Sequence, residues 1–356
     1  MTSRLIRRGS HGSRGSHCSD LRWTVLRRSL LHLEDAWLHG RPSAIDDGVK
    51  GMTSHRARAS GIELHWVEMG KGRPLVLLHG LGDTHRTWRR VMPHLARGRR
   101  VLALDLAGHG MSERPEAPYD LRWHAQLVGQ WCDYLELDDF DIAGHSFGGG
   151  VAQFFLLTHG SKVRRMALVS AGGLGREVHI ALRLMALPLG PRVMQPFMRL
   201  GTLVGTKAVG RDAFDADERR WLSEMNAQPG SAVAFARTVR GVIGFFGQTI
   251  HFLDHAHRID SLPPMAMFWG EADEIVPLTH GIRAQRYLDH VDLIRFPHAG
   301  HFPHLAQPSA FAQALVSFLD VEDHRRAELA PIEQLPLPTR GRRALRRLLK
   351  VASGNR

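Results

Sequence analysis

A serine stands at the centre of Gly144-His145-Ser146-Phe147-Gly148. An apolar stretch, Phe140 to Ala143, precedes it, and another, Val151 to Leu157, follows. That order predicts a strand, a sharp turn and a helix, with one hydroxyl at the tip. Glycines flank the serine because so tight a turn leaves no room for Cβ atoms. A hydroxyl at a helix N-terminus lies beside backbone N–H groups that can hold a developing oxyanion. The chemistry on offer is nucleophilic attack on an acyl carbon. Serine is a weak nucleophile at neutral pH, so it needs a base, and the base needs a third group to orient it.

Both partners have candidates downstream. Trp269-Gly270-Glu271-Ala272-Asp273-Glu274-Ile275-Val276-Pro277 carries three carboxylates in the loop after an apolar strand. Pro297-His298-Ala299-Gly300-His301-Phe302 follows the last apolar strand and precedes the last helix, with His304 close behind. The chain holds 23 histidines, so most of them must serve other ends. Upstream, His79-Gly80-Leu81-Gly82 follows Leu75-Val76-Leu77-Leu78 directly, and its glycines let the backbone approach a substrate.

The elements that must position these residues alternate. Strands are predicted over Ile62–Val67, Pro74–His79, Val101–Asp105, Asp141–Gly144, Met166–Ser170, Met265–Trp269 and Leu293–Phe296. Helices are predicted over Thr84–Ala96, Leu121–Leu135, the segment after Ser146, Leu278–Leu288 and Ser309–Leu319. Short apolar strands alternating with helices define an α/β class with a mostly parallel, doubly wound sheet. The interval 172–262 reads as helical, over Ile180–Leu187, Asp215–Asn226 and Ala232–Phe246. Its apolar residues include Met185, Met194, Phe197, Met198, Trp221, Phe245 and Phe246.

Composition narrows the function classes. At 356 residues the chain can bury a full core and carry an insertion. Its formal charge of +12 is concentrated at the ends. Residues 1–50 contribute +4 and residues 331–356 contribute +6, leaving +2 for the body, so the body is no nucleic-acid-binding surface. Cys18 and Cys132 are the only cysteines, so neither a disulfide framework nor a Cys/His metal spacing is present. No apolar run reaches the length of a membrane span, and Arg27 and Arg28 interrupt the N-terminal one. A cytoplasmic location is expected, with weak peripheral contact to an anionic membrane surface through the basic ends. Trp23, Leu26, Leu30, Leu33 and Trp37 predict a short amphipathic helix, and Arg340 to Lys350 a basic one. Met52 stands just before the first recognisable element, which makes it a candidate functional start.

In unbroken order over about 60–320, five motifs together resemble the α/β-hydrolase-fold family. They are His79-Gly80-Leu81-Gly82, Asp105-Leu106-Ala107-Gly108-His109-Gly110-Met111-Ser112, the serine turn, Gly270-Glu271-Ala272-Asp273 and Gly300-His301. The resemblance implies Ser146 as nucleophile, Asp273 as acid and His301 as base, with Leu81 and Phe147 supplying the oxyanion amides. It assigns Asp105–Ser112 a structural part. It implies core segments 52–171 and 263–322, a helical cap over 172–262, and ends at 1–51 and 323–356. No metal or organic cofactor is expected. The activity implied is hydrolysis of a carboxylic ester or thioester with a small hydrophobic acyl or aromatic group. Ser170 to Gly175 and Phe268 to Gly281 are also similar to C–C hydrolases of aromatic ring-cleavage products. A non-catalytic binding protein on the same fold is the remaining class. The oligomeric state is open.

Overall fold

The computed structural model describes residues 50–186, 191–209, 213–255, 262–288 and 291–321. The expected helix around Trp23–Trp37 and the basic segment Arg340–Lys350 lie outside them.

Eight strands form one sheet. They are β1 (Thr53–Ala59), β2 (Ile62–Met69), β3 (Arg73–Leu78), β4 (Arg99–Asp105), β5 (Phe140–His145), β6 (Val163–Val169), β9 (Met265–Gly270) and β10 (Asp292–Phe296). Their order is β1-β2-β4-β3-β5-β6-β9-β10. Pairing is antiparallel for β1 with β2 and β2 with β4, and parallel for the remaining six strands. Successive side chains on a strand face opposite ways. Val76 and Leu78 accordingly join Leu102, Leu104 and Ile142 in one apolar layer, while Leu75 and Leu77 join Val101, Ala103 and Phe268 in the other. The first layer is closed by helices α1 (Leu121–Tyr134) and α2 (Phe147–His159). The insertion between β6 and β9 holds α3 (Ile180–Met185), α4 (Met198–Val209), α5 (Ala216–Asn226), α6 (Ser231–Val242) and a hairpin, β7 (Ile243–Gly244) with β8 (Gly247–Gln248). Beyond it come α7 (Thr279–Tyr287) and α8 (Pro308–Leu319), the latter packed on the second layer.

The structure differs from the expected elements in several places. Strand β1 and helix α4 are additional. Thr84–Ala96 is no single helix but a 3₁₀ turn over His85–Trp88 and a short helix over Met92–Leu95. Pro93 lacks an N–H and so sits in the first turn of the second piece rather than inside a continuous helix. The helix expected to reach Phe246 stops at Val242, where the chain turns back through the β7–β8 hairpin.

At the end of β4, Asp105 ties three chain segments together. Its carboxylate accepts the backbone N–H of His85 (2.7 Å) and of Met111 (2.9 Å), and the Nδ1 atoms of His65 (2.8 Å) and His85 (3.0 Å). Burial alone would raise its pKa; the two imidazoles outweigh that and hold it well below the ordinary carboxylate range. Ser112 Oγ donates to the Asp105 carbonyl and accepts the His65 N–H. The Asp105–Ser112 segment is thus a structural turn. Replacing Asp105 with Ala leaves these donors buried without an acceptor. The expected loss is about 3–5 kcal/mol of unfolding free energy in urea titration.

Candidate active site

Ser146 stands between β5 and α2 at φ 50° and ψ −113°. A side chain in such a conformation costs about 1–3 kcal/mol and persists only where its surroundings over-determine it. Here they do. The Ser146 N–H donates to the Val169 carbonyl (2.9 Å), and its own carbonyl accepts the N–H groups of Gly172 (3.0 Å) and Gly150 (3.2 Å). A Cβ on Gly144 would lie 2.4 Å from the Gly148 carbonyl oxygen, and one on Gly148 would lie 2.5 Å from that of His79. Only glycine allows this approach of strand, turn and helix.

Asp273 and His301 leave the ends of β9 and β10. Their loops meet at Gly270, where a Cβ would lie 2.0 Å from the Gly300 carbonyl oxygen. Asp273 Oδ1 accepts the N–H groups of Ile275 and Val276, each at 2.9 Å. His301 Nδ1–H donates to Asp273 Oδ2 (2.9 Å) and Oδ1 (3.1 Å). The carboxylate therefore fixes the tautomer and leaves Nε2 to present its lone pair. The competing groups stand elsewhere. Glu271 pairs with Arg295 (2.8 Å), Glu274 and His298 are exposed, and His304 is buried against the Thr87 hydroxyl (2.9 Å).

Leu81 and Phe147 line the same cavity as Ser146 and His301. Phe147 opens α2, so its N–H is one of the amides with no acceptor inside the helix. The Leu81 amide is set indirectly. His79 Nε2 accepts the Leu106 N–H (2.9 Å), which puts the ring proton on Nδ1, and Nδ1–H donates to the Gly80 carbonyl (2.7 Å). In a trans peptide the C=O and N–H point opposite ways. Holding the Gly80 carbonyl thus turns the Leu81 N–H away from it. Burial lowers the His79 pKa to about 4, so the ring stays neutral while it does this.

His145 holds His301 in a matching way. Its Nε2–H donates to the His301 carbonyl (2.9 Å), and its ring lies 4.8 Å from that of His301. Burial keeps it well below the ordinary imidazole range, again uncharged. Neither His79 nor His145 was assigned a role from the sequence, because both act through partners distant in the chain.

The cavity measures about 470 Å³. The insertion contributes Met185, Met194, Phe197, Met198, Phe235 and Val242, among others; Trp221, Phe245 and Phe246 do not line it. Among the described lining residues there is no lysine or arginine. The polar side chains are Asp83, His145, Ser146, Thr202, Thr206, Asn226, Gln248 and His301. Asn226 Nδ2 donates to the Gly82 carbonyl (2.7 Å) and so ties α5 to the turn that carries Leu81.

This fold and this site define a hydrolase class, and the chain belongs to it. The α/β hydrolase fold family matches over residues 73–308. A protein of Mycobacterium tuberculosis (strain ATCC 25618 / H37Rv) bearing no assigned activity is 32% identical over 277 residues, 75% of this chain and 81% of its own. The 2-hydroxy-6-oxo-6-(2'-aminophenyl)hexa-2,4-dienoic acid hydrolase of Metapseudomonas resinovorans is 30% identical over 287 residues, 76% and 91% of the two chains. The crystal structure of Cfl2 from Burkholderia cenocepacia superposes with a TM-score of 0.67 at 23% identity, covering 78% of this chain and 99% of that one. At that identity it shows the fold alone.

Asp83 gives the site a pH signature. Its Oδ1 accepts the Thr84 N–H (2.8 Å), while its buried Oδ2 has no hydrogen-bond partner. Burial raises its pKa to about 7. The folded state then holds this proton more tightly than the unfolded chain does, so stability falls as pH rises from about 4 to 7. Asp83→Asn keeps the acceptor for Thr84 and removes the titration. Its melting temperature should match wild type near pH 4 and exceed it at pH 8. The gain is at most roughly 4 kcal/mol, from three pKa units at about 1.4 kcal/mol each.

Proposed function

We propose that this chain is a serine hydrolase of carboxylic esters or thioesters whose acyl part is apolar. Ser146 Oγ attacks the carbonyl carbon, and His301 Nε2 takes the hydroxyl proton and passes it to the leaving group. Asp273 orients the ring and stabilises the imidazolium. The amides of Leu81 and Phe147 hold the oxyanion. Water, deprotonated by His301, then releases the acid through the same steps. Residues 172–262 act as the cap that shapes the acyl pocket.

The observation that carries the choice of substrate is the cavity wall. It is largely apolar, with a few polar groups and, among the described residues, no lysine or arginine. A carboxylate in such a cavity would be desolvated without a counter-charge. A neutral ester meets no such cost.

A second reading follows from a relative. The enzyme of Metapseudomonas resinovorans named above is a dienoic acid hydrolase. C–C hydrolysis would use the same serine and the same amides, but its substrate is an acid, and the described lining residues include no lysine or arginine to pair with it.

The ratio of kcat/KM for a medium-chain aryl ester to that for a ring-cleavage dienoate separates the two. It should exceed about 10²-fold, which corresponds to a few kcal/mol of differential transition-state binding. Ser146→Ala should lower ester turnover by at least about 10⁴-fold. A ratio below one would assign C–C hydrolysis. Unchanged turnover in Ser146→Ala would remove the mechanism.

A further inference from the structure

Helix α4 is amphipathic in an unusual sense. Met198, Gly201, Thr202, Gly205 and Thr206 line the cavity at helical spacing. Its other side carries Leu200 (60% exposed) and Val204 (57%) into solvent. An outward face of a surface helix is ordinarily polar. Other elements that line the same cavity, α3 and the β7–β8 hairpin, also carry exposed apolar side chains. Ile180 and Leu184 on α3 are each 53% exposed, and Phe245 and Phe246 at the hairpin tip are 63% and 70% exposed. Large apolar side chains left exposed together around a cavity mark interaction sites.

Two further observations say what meets this patch. The first is where it lies. Met185, Val193 and Phe197 are exposed and also line the cavity, so the cavity opens through the patch itself. The second is its charge. Residues 176–207 carry five basic residues and one acid, Glu177, which is paired with Arg283 (2.8 Å) and His280 (2.9 Å). Arg176 and Arg183 lie over the rings of Phe246 and Phe245, at 5.6 and 5.9 Å, and each donates to the backbone carbonyl of the ring it covers. Apolar side chains at a cavity mouth, with guanidinium groups fixed beside the outermost rings, match a bilayer surface. The rings enter the acyl boundary while the cations meet phosphate.

We infer that the face formed by α3, α4 and the β7–β8 hairpin docks on an anionic phospholipid bilayer, placing the cavity mouth at the lipid surface. The inference uses neither end of the chain. It goes beyond the ester reading, since binding is measured without turnover.

The test is co-sedimentation of the full chain with phosphatidylcholine vesicles containing about one third phosphatidylglycerol. The wild-type chain should bind these, and should bind pure phosphatidylcholine at least about fivefold more weakly. Leu200→Asp/Val204→Asp and, separately, Phe245→Ser/Phe246→Ser should each lower the partition coefficient by about tenfold or more. These positions are exposed and do not line the cavity, so melting temperature and turnover of a water-soluble ester should stay at wild-type values. A wild-type chain that fails to bind anionic vesicles overturns the inference. Variants that bind as wild type does overturn it by placing the contact elsewhere. A concentration-dependent dimer that both variant pairs abolish, with no vesicle binding, gives the face to a second copy and overturns it too.

Discussion

The backbone at Ser146 is the constraint on which the site depends. A serine at positive φ is held there by hydrogen bonds to Val169, Gly150 and Gly172, which lie on β6, α2 and the segment after β6. The bond to Val169 depends on the parallel register of β5 and β6, with His145 opposite Val169. A slip of one residue would turn every side chain of β5 to the other face and carry Ser146 out of the cavity. Strain of about 1–3 kcal/mol is small beside the apolar burial of the two layers, so the sheet can hold it. What the strain supplies is direction: the hydroxyl and the first amide of α2 point into one space.

Beyond the Asp273–His301 pair, two buried imidazoles position the site through neutral hydrogen bonds to backbone carbonyls. His79 and His145 each fix one backbone carbonyl, one beside Leu81 and the other at His301. Burial keeps both rings uncharged, and His304 behind them is lowered to about 3 for the same reason. In the proposed mechanism, a charged ring at either place would alter the field at the oxyanion and compete with the His301 imidazolium. At His79 one nitrogen accepts the Leu106 N–H and the other donates to the Gly80 carbonyl, so a single ring spans two backbone groups. The cost appears in acid. Below about pH 6.5 the unfolded chain takes up protons that these folded rings refuse, and stability falls.

Much of this was legible in the sequence because it is local. Continuous apolar runs such as Leu75–Leu78 announce strands buried on both faces. Ser146 lies between two of its glycines, and the loops of Asp273 and His301 each directly follow a strand. Strand β1 was missed because His55, Arg56 and Arg58 make it read as a polar loop; its pairing with β2 and the turn at Ser60-Gly61, both at positive φ, supply what its composition hides. The roles of His79 and His145 rest on partners 27 and 156 residues away, which no local pattern carries. Asp83 carries no local signal, because the burial that shifts it is a product of the fold. Helix α4 is not among the expected elements, and the exposure of Leu200 and Val204 is a property of the fold alone.

The central claim is that Ser146 forms an acyl-enzyme. Intact-protein mass spectrometry after rapid acid quench with a medium-chain aryl ester, followed by peptide mapping, tests it most directly. The account predicts a mass increase equal to one acyl group on the peptide containing Ser146, absent in Ser146→Ala. Steady turnover with an unmodified Ser146, or with the acyl group on another residue, would contradict it.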